Sequence, residues 1–152
     1  MLDLLSIAKI RILDFNLRAP HYKQAVLENL LRQADKLKMN EIELDEISEW
    51  YADISLFNDK VRIIRDRYAI PPIIVTKGAE GASNFDGKIF YEHPGFKVNE
   101  VGAVGSGDAF LAGFLHRLAD NCKSEETLEF AFKLGSYVTS KKGACATHDG
   151  TI

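Results

Sequence analysis

The alternation of short apolar runs with helical patterns is the feature that most limits how this chain can fold. Runs typical of buried strands occupy residues 9–15, 36–39 and 73–76, and apolar residues at helical spacing occupy residues 21–32 and 55–68. Strands that alternate with helices across short loops form parallel sheets, which helices cover on both faces. The sequence therefore predicts a three-layer α/β fold with a mainly parallel sheet.

The second half of the chain predicts a hairpin followed by two helices. Residues 82–85 and 88–91 flank the pair Asp86-Gly87, which is typical of a type I′ turn with a positive φ at both central residues. No repeat, low-complexity run or linker interrupts the chain, so it is interpreted as one continuous unit. The two helices are expected over approximately residues 108–119 and 125–141.

The composition argues against two classes of partner. Hydrophobic residues make up 46% and charged residues 27% of the chain, as in an ordinary globular protein. The net charge is −3 and there is no basic patch, which argues against nucleic acid. No apolar run approaches the roughly 20 residues needed to cross a bilayer. Cys122 and Cys145 lack the spacing of a zinc site or a disulfide framework, so a cytoplasmic protein with reduced thiols is expected.

A glycine-rich loop at residues 102–107 is the first candidate for a functional site. Three glycines in six residues let the backbone approach a ligand closely, and the helix expected after them contributes N–H groups and a positive dipole end. The spacing is G-x-x-G-x-G, which is neither the Walker A loop nor the dinucleotide-binding G-x-G-x-x-G. The loop therefore predicts an anion site of another kind.

Asp108 follows this loop and has two possible roles. As an N-cap or first-turn acid it is favoured by the helix dipole, which is a purely structural role. As a general base it would take a proton from a substrate hydroxyl beside N–H groups that stabilise charge on a phosphoryl group. The glycine spacing alone does not decide between the two roles.

Four ordered motifs resemble the ribokinase-like, or phosphofructokinase-B, family of sugar kinases, and fructokinases most of all. The stretch V-G-S-G-D-A-F-L-A-G-F-L at residues 104–115 is similar to the family's C-terminal signature, approximately D-T-x-G-A-G-D-x-F. The other three are D-F-N-L-R at residues 14–18, N-E-I-E at residues 40–43 and V-T-K-G-A-E-G-A at residues 75–82. The resemblance extends across nearly the whole chain and implies a ribokinase-like fold and ATP-dependent phosphorylation of a sugar hydroxyl.

The resemblance also implies a role for individual residues. Asp108 would be the catalytic base, and Gly105, Ser106 and Gly107 would form the anion hole. Glu43 would act on Mg²⁺ through water, and Arg18 would contact phosphate or substrate. The positions expected to contact ATP, its phosphates or Mg²⁺ are Asn16, Asn40, Glu43, Thr76, Gly78, Gly81 and Gly143.

Several of these positions also have an ordinary structural interpretation. Asn40 and Glu43 have the three-residue spacing of a helix N-cap and its capping-box partner, and this role can coexist with a role at the phosphates. Thr76 and Gly78 are equally typical of a strand that ends in a turn. Arg18, directly after a strand, is equally typical of a structural ion pair.

Two departures from the family pattern have consequences. Gly102-Ala103 stand where the family has Asp-Thr, which argues against a monovalent-cation site, because that Asp is one of the implied ligands. Phe132 stands where a smaller or polar residue is common, so the adenine pocket is expected to be reshaped.

The length adds a further expectation, because members of this family are about twice as long. Residues 1–152 correspond to the C-terminal nucleotide-binding and catalytic part, without the N-terminal half and the lid that supply most of the sugar pocket. The sugar is therefore not predicted. The alternative is a truncated, non-catalytic module that binds nucleotide or associates with another chain, either a second copy or the missing half.

Overall fold

The computed structural model describes residues 6–17, 21–96, 102 and 104–141. Within these ranges, helices and strands alternate as the sequence predicts, and most bounds agree with the prediction to within three residues. The strands are β1 (Ile12–Asp14), β2 (Lys36–Asn40), β3 (Ile73–Thr76), β4 (Ala82–Phe85) and β5 (Phe90–His93). The helices are α1 (Gln24–Leu31), α2 (Glu41–Glu49), α3 (Phe57–Tyr68), α4 (Ser106–Ala119) and α5 (Ser124–Thr139), with a short 3₁₀ turn at Gly78–Glu80.

The described strands form a five-stranded sheet in chain order, β1 to β5. β1, β2 and β3 are parallel, with Asp14 opposite Lys38 and Asn40 opposite Thr76. β4 and β5 are sheet neighbours joined by four residues, a connection that only an antiparallel hairpin permits. The predicted α/β class with a mainly parallel sheet and a hairpin is therefore confirmed.

The chain divides into two compact units, which are described separately. The first unit comprises residues 1–77 and 83–90, and the second comprises residues 78–82 and 91–152. In the first unit, alternate side chains of β2 and β3 pack against α1, α2 and α3. The buried core contributed by these elements includes Leu37, Met39, Ile73 and Val75 from the strands and Leu27, Leu31, Leu44, Ile47, Val61 and Ile64 from the helices.

An ion pair joins the amino ends of β1 and β2. Arg11 donates to both carboxylate oxygens of Asp35, through Nε at 3.0 Å and through a terminal nitrogen at 2.8 Å, and the Arg11 backbone N–H donates to the same carboxylate. These hydrogen bonds from Arg11 lower the pKa of Asp35 below its ordinary value, because they stabilise the ionised carboxylate. The ion pair therefore fixes the start of the parallel pairing of β1 and β2, at the amino ends of these strands.

The hairpin differs from its prediction in both turn and register. Gly87 has a positive φ of 102°, but Asp86 does not, so the turn is not of type I′. The Asp86 carboxylate instead accepts the N–H groups of Lys88 and Ile89, each at 2.8 Å, and the Asp86 N–H donates to the Ile89 carbonyl. Because this carboxylate satisfies the loop amides, the loop extends over four residues and β5 begins at Phe90, two residues later than predicted.

In the second unit, α4 and α5 pack together through two helical glycines. A methyl group on Gly113 would lie 3.1 Å from the Cα of Ala131, and one on Gly135 would lie 3.2 Å from the Ser106 carbonyl and 3.4 Å from Cβ of Phe110. Such a close approach of two helices requires residues without side chains at the contact. The aromatic and aliphatic side chains buried around it are those of Phe110, Phe114, Leu128 and Phe132.

Candidate functional site

One group of candidate residues lies at the carboxyl edge of the parallel strands in the first unit. Asp14, Asn40 and Thr76 are the last residues of β1, β2 and β3, and the Thr76 hydroxyl donates to the Met39 carbonyl at 3.4 Å. Asn16 follows β1 by two residues and is exposed, as is Asn40. Open α/β sheets bind their ligands outside the carboxyl ends of the strands. The structure therefore brings Asn16, Asn40 and Thr76 to the edge where a ligand would bind.

Glu43 is buried at this edge and holds two backbone segments. Its Oε2 accepts the Asn40 N–H at 2.8 Å, while the Asn40 side chain accepts the Glu43 N–H at 2.9 Å, which confirms the predicted capping box. Its Oε1 accepts the Leu17 N–H at 2.9 Å. Glu43 is only 4% exposed, and each carboxylate oxygen accepts one hydrogen bond from the described residues, which leaves it one further acceptor position there.

Lys38 is a charged residue of this region that the sequence reasoning missed. It lies in the middle of β2, only 7% exposed, and its Nζ donates to Asp14 Oδ1 at 2.7 Å. The available signal was a lysine between Leu37 and Met39 in a buried-strand run, since a buried ammonium needs a partner. That the partner is the last residue of β1 depends on the strand register, which the sequence alone does not give.

A second group of candidate residues lies in the second unit, beginning at the turn after β3. Gly78 and Gly81 both have a positive φ, 58° and 97°, and the Gly81 N–H donates to the Gly78 carbonyl at 3.3 Å. A methyl group on Gly81 would overlap the His93 carbonyl oxygen and lie 2.7 Å from the Pro94 carbonyl carbon, whereas one on Gly78 would meet nothing within 4 Å. Gly81 is therefore required for the close approach of two backbone segments.

The start of α4 carries the loop and the acid that the sequence singled out. Gly105, with a φ of 84°, is the N-cap, so α4 begins at Ser106, two residues before the predicted start. The Ala109 N–H donates to the Gly105 carbonyl at 2.9 Å, and the N–H groups of Gly107 and Asp108 precede it in the first turn. Since the first N–H groups of a helix have no intrahelical acceptor, this turn can bind an anion.

Asp108 is a first-turn acid and not the N-cap. Its side chain is exposed, and among the described residues it accepts no hydrogen bond and forms no ion pair. Nothing in that part of the chain therefore competes for its carboxylate. A carboxylate that is open to a ligand and adjacent to helix N–H groups has the chemistry of a general base beside an anion site.

Five further positions that the sequence singled out remain to be located in the structure. Arg18, Ala103 and Gly143 lie outside the described residues. The Gly102 N–H donates to the Thr139 carbonyl at 3.2 Å. Phe132 is 8% exposed, with its ring stacked on that of His93 at 4.8 Å and edge-on to that of Phe110 at 5.0 Å, so it is a core residue of the second unit.

The described residues contain neither a membrane-spanning helix nor a protein-only metal site. No helix found there is long and apolar enough to cross a membrane. No group of three or more His, Cys, Asp or Glu side chains in those ranges could hold a metal ion by itself.

These features define an α/β protein in which a glycine-capped helix starts beside an exposed aspartate. The model of the pfkB family of carbohydrate kinases matches residues 1–149, and the chain belongs to this family. The chain is 34% identical over 119 residues to fructokinase-1 of Zea mays, a match that covers 74% of this chain and 36% of the maize protein.

Solved structures agree with this assignment and show the ribokinase-like fold. Ribokinase from Thermotoga maritima matches with a TM-score of 0.78 and 23% identity, over 94% of this chain and 47% of the ribokinase. Fructokinase from Vibrio cholerae O395, solved with fructose, ADP and calcium, matches with a TM-score of 0.73 and 25% identity, over 88% of this chain and 45% of that chain. The chain thus spans less than half the length of the relatives it matches.

Proposed function

We propose that this chain carries the ATP-binding and base-supplying part of an ATP-dependent sugar kinase of the fructokinase type. The observation that carries the proposal is the exposed carboxylate of Asp108, which has no partner among the described residues and lies in the first turn of a glycine-capped helix. Fructokinases among the relatives, including the one solved with fructose and ADP, support a sugar as the phosphoryl acceptor and ATP as the donor. The cytoplasm is the compartment proposed for this reaction.

In the proposed reaction Asp108 accepts the proton of a sugar hydroxyl. The hydroxyl oxygen forms a bond to the γ-phosphorus of ATP, the bond from that phosphorus to the β,γ-bridging oxygen breaks, and ADP leaves with the bond electrons. The backbone N–H groups of Gly105, Ser106 and Gly107 would stabilise the negative charge on the transferring phosphoryl group. Phosphoryl transfer depends mainly on such positioning and charge stabilisation, and a base beside an anion hole contributes to both.

The nucleotide and its metal are assigned to the remaining candidates. Asn16, Asn40, Thr76, Gly78, Gly81 and Gly143 would contact the nucleotide and its phosphates, and Arg18 the phosphate or the sugar. Glu43 fits Mg²⁺ through water, because each of its oxygens accepts only one hydrogen bond from the described part of the chain and Mg²⁺ retains much of its hydration shell. When bound, Mg²⁺ would neutralise phosphate charge. No monovalent-cation site is proposed, since Gly102 has no side-chain ligand.

A non-catalytic module that binds nucleotide is the second candidate, since a glycine-capped helix start can bind phosphate without any further chemistry. Two measurements on the same preparation separate the candidates: titration with MgATP, and ADP release from MgATP with a panel of sugars. A kinase part predicts MgATP binding together with sugar-dependent ADP release. Binding without sugar-dependent ADP release would favour the second candidate.

We also propose that the chain associates through β1, with a second copy or with the N-terminal half of a relative. β1 has a strand neighbour on one side only among the described strands, and Ile12 in this strand and Ile10 just before it are 36% and 59% exposed. Unpaired strand edges and clustered apolar side chains favour association.

Light scattering at increasing protein concentration tests the association. We expect a mass above that of the 17.0 kDa chain, and Ile12→Lys should shift it towards the monomer because a charge on an edge strand opposes pairing. Val104→Lys, at an exposed position of the second unit, is the matched control and should leave the mass unchanged. A clean monomer of the unsubstituted chain at high concentration would contradict the proposal.

A further inference from the structure

We propose that Lys38 and Glu43 are positioning residues that hold the segment Asp14–Leu17 at both ends and thereby fix Asn16 for ligand binding. The inference rests on the proposed function in one respect only, namely that Asn16 contacts the nucleotide. Its structural part, that two buried charges order this segment, stands on the hydrogen bonds of the first unit.

The first end of the segment is held by the Lys38–Asp14 ion pair. The two residues are register partners in β1 and β2, their charged groups are 2.7 Å apart, and their side chains are 9% and 26% exposed. Lys38 lies on the face of β2 opposite to Leu37 and Met39, so it does not contribute to the aliphatic core between the sheet and α1 to α3. A buried ammonium is costly unless it is paired, which indicates that this lysine is retained for its contact with Asp14.

The second end is held by Glu43, which lies three residues beyond the end of β2. Its Oε1 accepts the Leu17 N–H and its Oε2 accepts the Asn40 N–H, so one carboxylate ties the loop after β1 to the start of α2. Between the two ends, the Phe15 N–H donates to the Lys38 carbonyl at 3.0 Å. Three of the four residues of the segment are therefore anchored to β2 or α2.

Asn16 is the remaining residue, and its side chain is exposed. It lies two residues beyond Asp14, as Asn40 lies two residues beyond Lys38, so the ladder places both amides at the same edge. A segment that is ordered before the ligand arrives loses less conformational entropy on binding than a flexible loop. Lys38 would then act on the ligand only through Asn16, whereas Glu43 would act through Asn16 and Asn40 as well as through the water that it is proposed to share with Mg²⁺.

We call Lys38 and Glu43 the clamp residues, because they hold the segment Asp14–Leu17 at its two ends. Substitution of each of them, with a matched control, tests this inference. Glu43→Gln keeps the side-chain size but removes the charge, and Glu41→Gln changes an exposed acid in the first turn of the same helix. Lys38→Met removes a buried ammonium, and Lys60→Met removes a partly buried one that pairs with Asp45 at the same 2.7 Å distance. Amide hydrogen exchange of Phe15 and Leu17, measured by NMR, reports on the segment, and titration with MgATP reports on the ligand.

In both Lys38→Met and Glu43→Gln, we expect the amide hydrogen of Phe15 or Leu17 to exchange with solvent about tenfold faster or more. We also expect both variants to bind MgATP about three- to tenfold more weakly. The reason for both effects is the loss of hydrogen bonds to charged groups. Both controls should leave these two amides and the affinity unchanged. Lys38→Arg keeps the charge and should restore much of the protection even if Lys38→Met folds poorly.

The outcomes separate this inference from the proposed function. Unchanged exchange at Leu17 in Glu43→Gln, or equal effects in the clamp and control variants, would overturn the clamp. Faster exchange with unaltered MgATP affinity would overturn its role in binding. If the unsubstituted chain does not bind MgATP, the proposed function fails, while the exchange rates still decide whether the segment is clamped.

Discussion

Asp108→Asn is expected to abolish sugar-dependent ADP release while leaving the affinity for MgATP nearly unchanged. Asparagine keeps the size of the side chain but cannot accept the proton of the sugar hydroxyl, and general-base catalysis contributes about 10²- to 10⁴-fold. The backbone N–H groups of Gly105, Ser106 and Gly107 at the start of α4 remain in the variant, so the proposed anion hole should persist. A loss in kcat without a matching loss in binding is therefore the predicted signature.

The assay is made on the chain combined with the N-terminal half of a fructokinase relative, because the chain spans 36% of the maize protein. Asp120→Asn is the matched control, since Asp120 is an exposed acid at the other end of α4. It should leave kcat within about twofold, as expected for an exposed surface position. Turnover by Asp108→Asn equal to that of the control would show that Asp108 is not the base.

Gly81→Ala is expected to have the largest effect on stability among single-methyl changes to the candidate residues. Gly81 has a φ of 97°, and the added methyl would overlap the His93 carbonyl oxygen and approach Pro94 to 2.7 Å. Both obstacles are backbone atoms, so the turn and the segment after β5 would have to separate. We expect the free energy of unfolding to fall by about 3 kcal/mol or more.

Gly78→Ala provides the control for this prediction. Gly78 has a φ of 58°, within the left-handed region that other residues can enter, and the added methyl meets nothing within 4 Å. Its expected cost is about 1 kcal/mol, the penalty for an alanine in that conformation. Urea unfolding of both variants measures the difference. Equal midpoints would show that the backbone contact at Gly81 does not hold the turn in solution.

The sequence predicted best the features that depend on a few neighbouring residues. β3 was predicted with its observed bounds because four consecutive apolar or β-branched residues lie between Pro72 and Gly78. The capping box of Asn40 and Glu43 was predicted because it needs only a three-residue spacing. The prediction of a type I′ turn at Asp86 was wrong, because the carboxylate of that residue organises the loop and no second positive φ is present there.

Contacts between distant parts of the chain were beyond sequence reasoning. The hydrogen bond from Leu17 to Glu43 joins residues 26 positions apart, and the ion pair of Asp14 and Lys38 joins residues 24 apart. Both depend on the register of β1 against β2, which no local pattern encodes. The motif resemblance suggested which residues to propose for the site, whereas the register shows how the segment that carries Asn16 is held.

Titration of the chain with MgATP is the most direct test of the claim that it carries the ATP side of a sugar kinase. Calorimetry is performed at two temperatures, because binding whose enthalpy is close to zero at one temperature releases no heat there. We expect saturable binding with one nucleotide per chain, weakened when EDTA removes Mg²⁺. No heat at either temperature, even at millimolar MgATP, would contradict the claim.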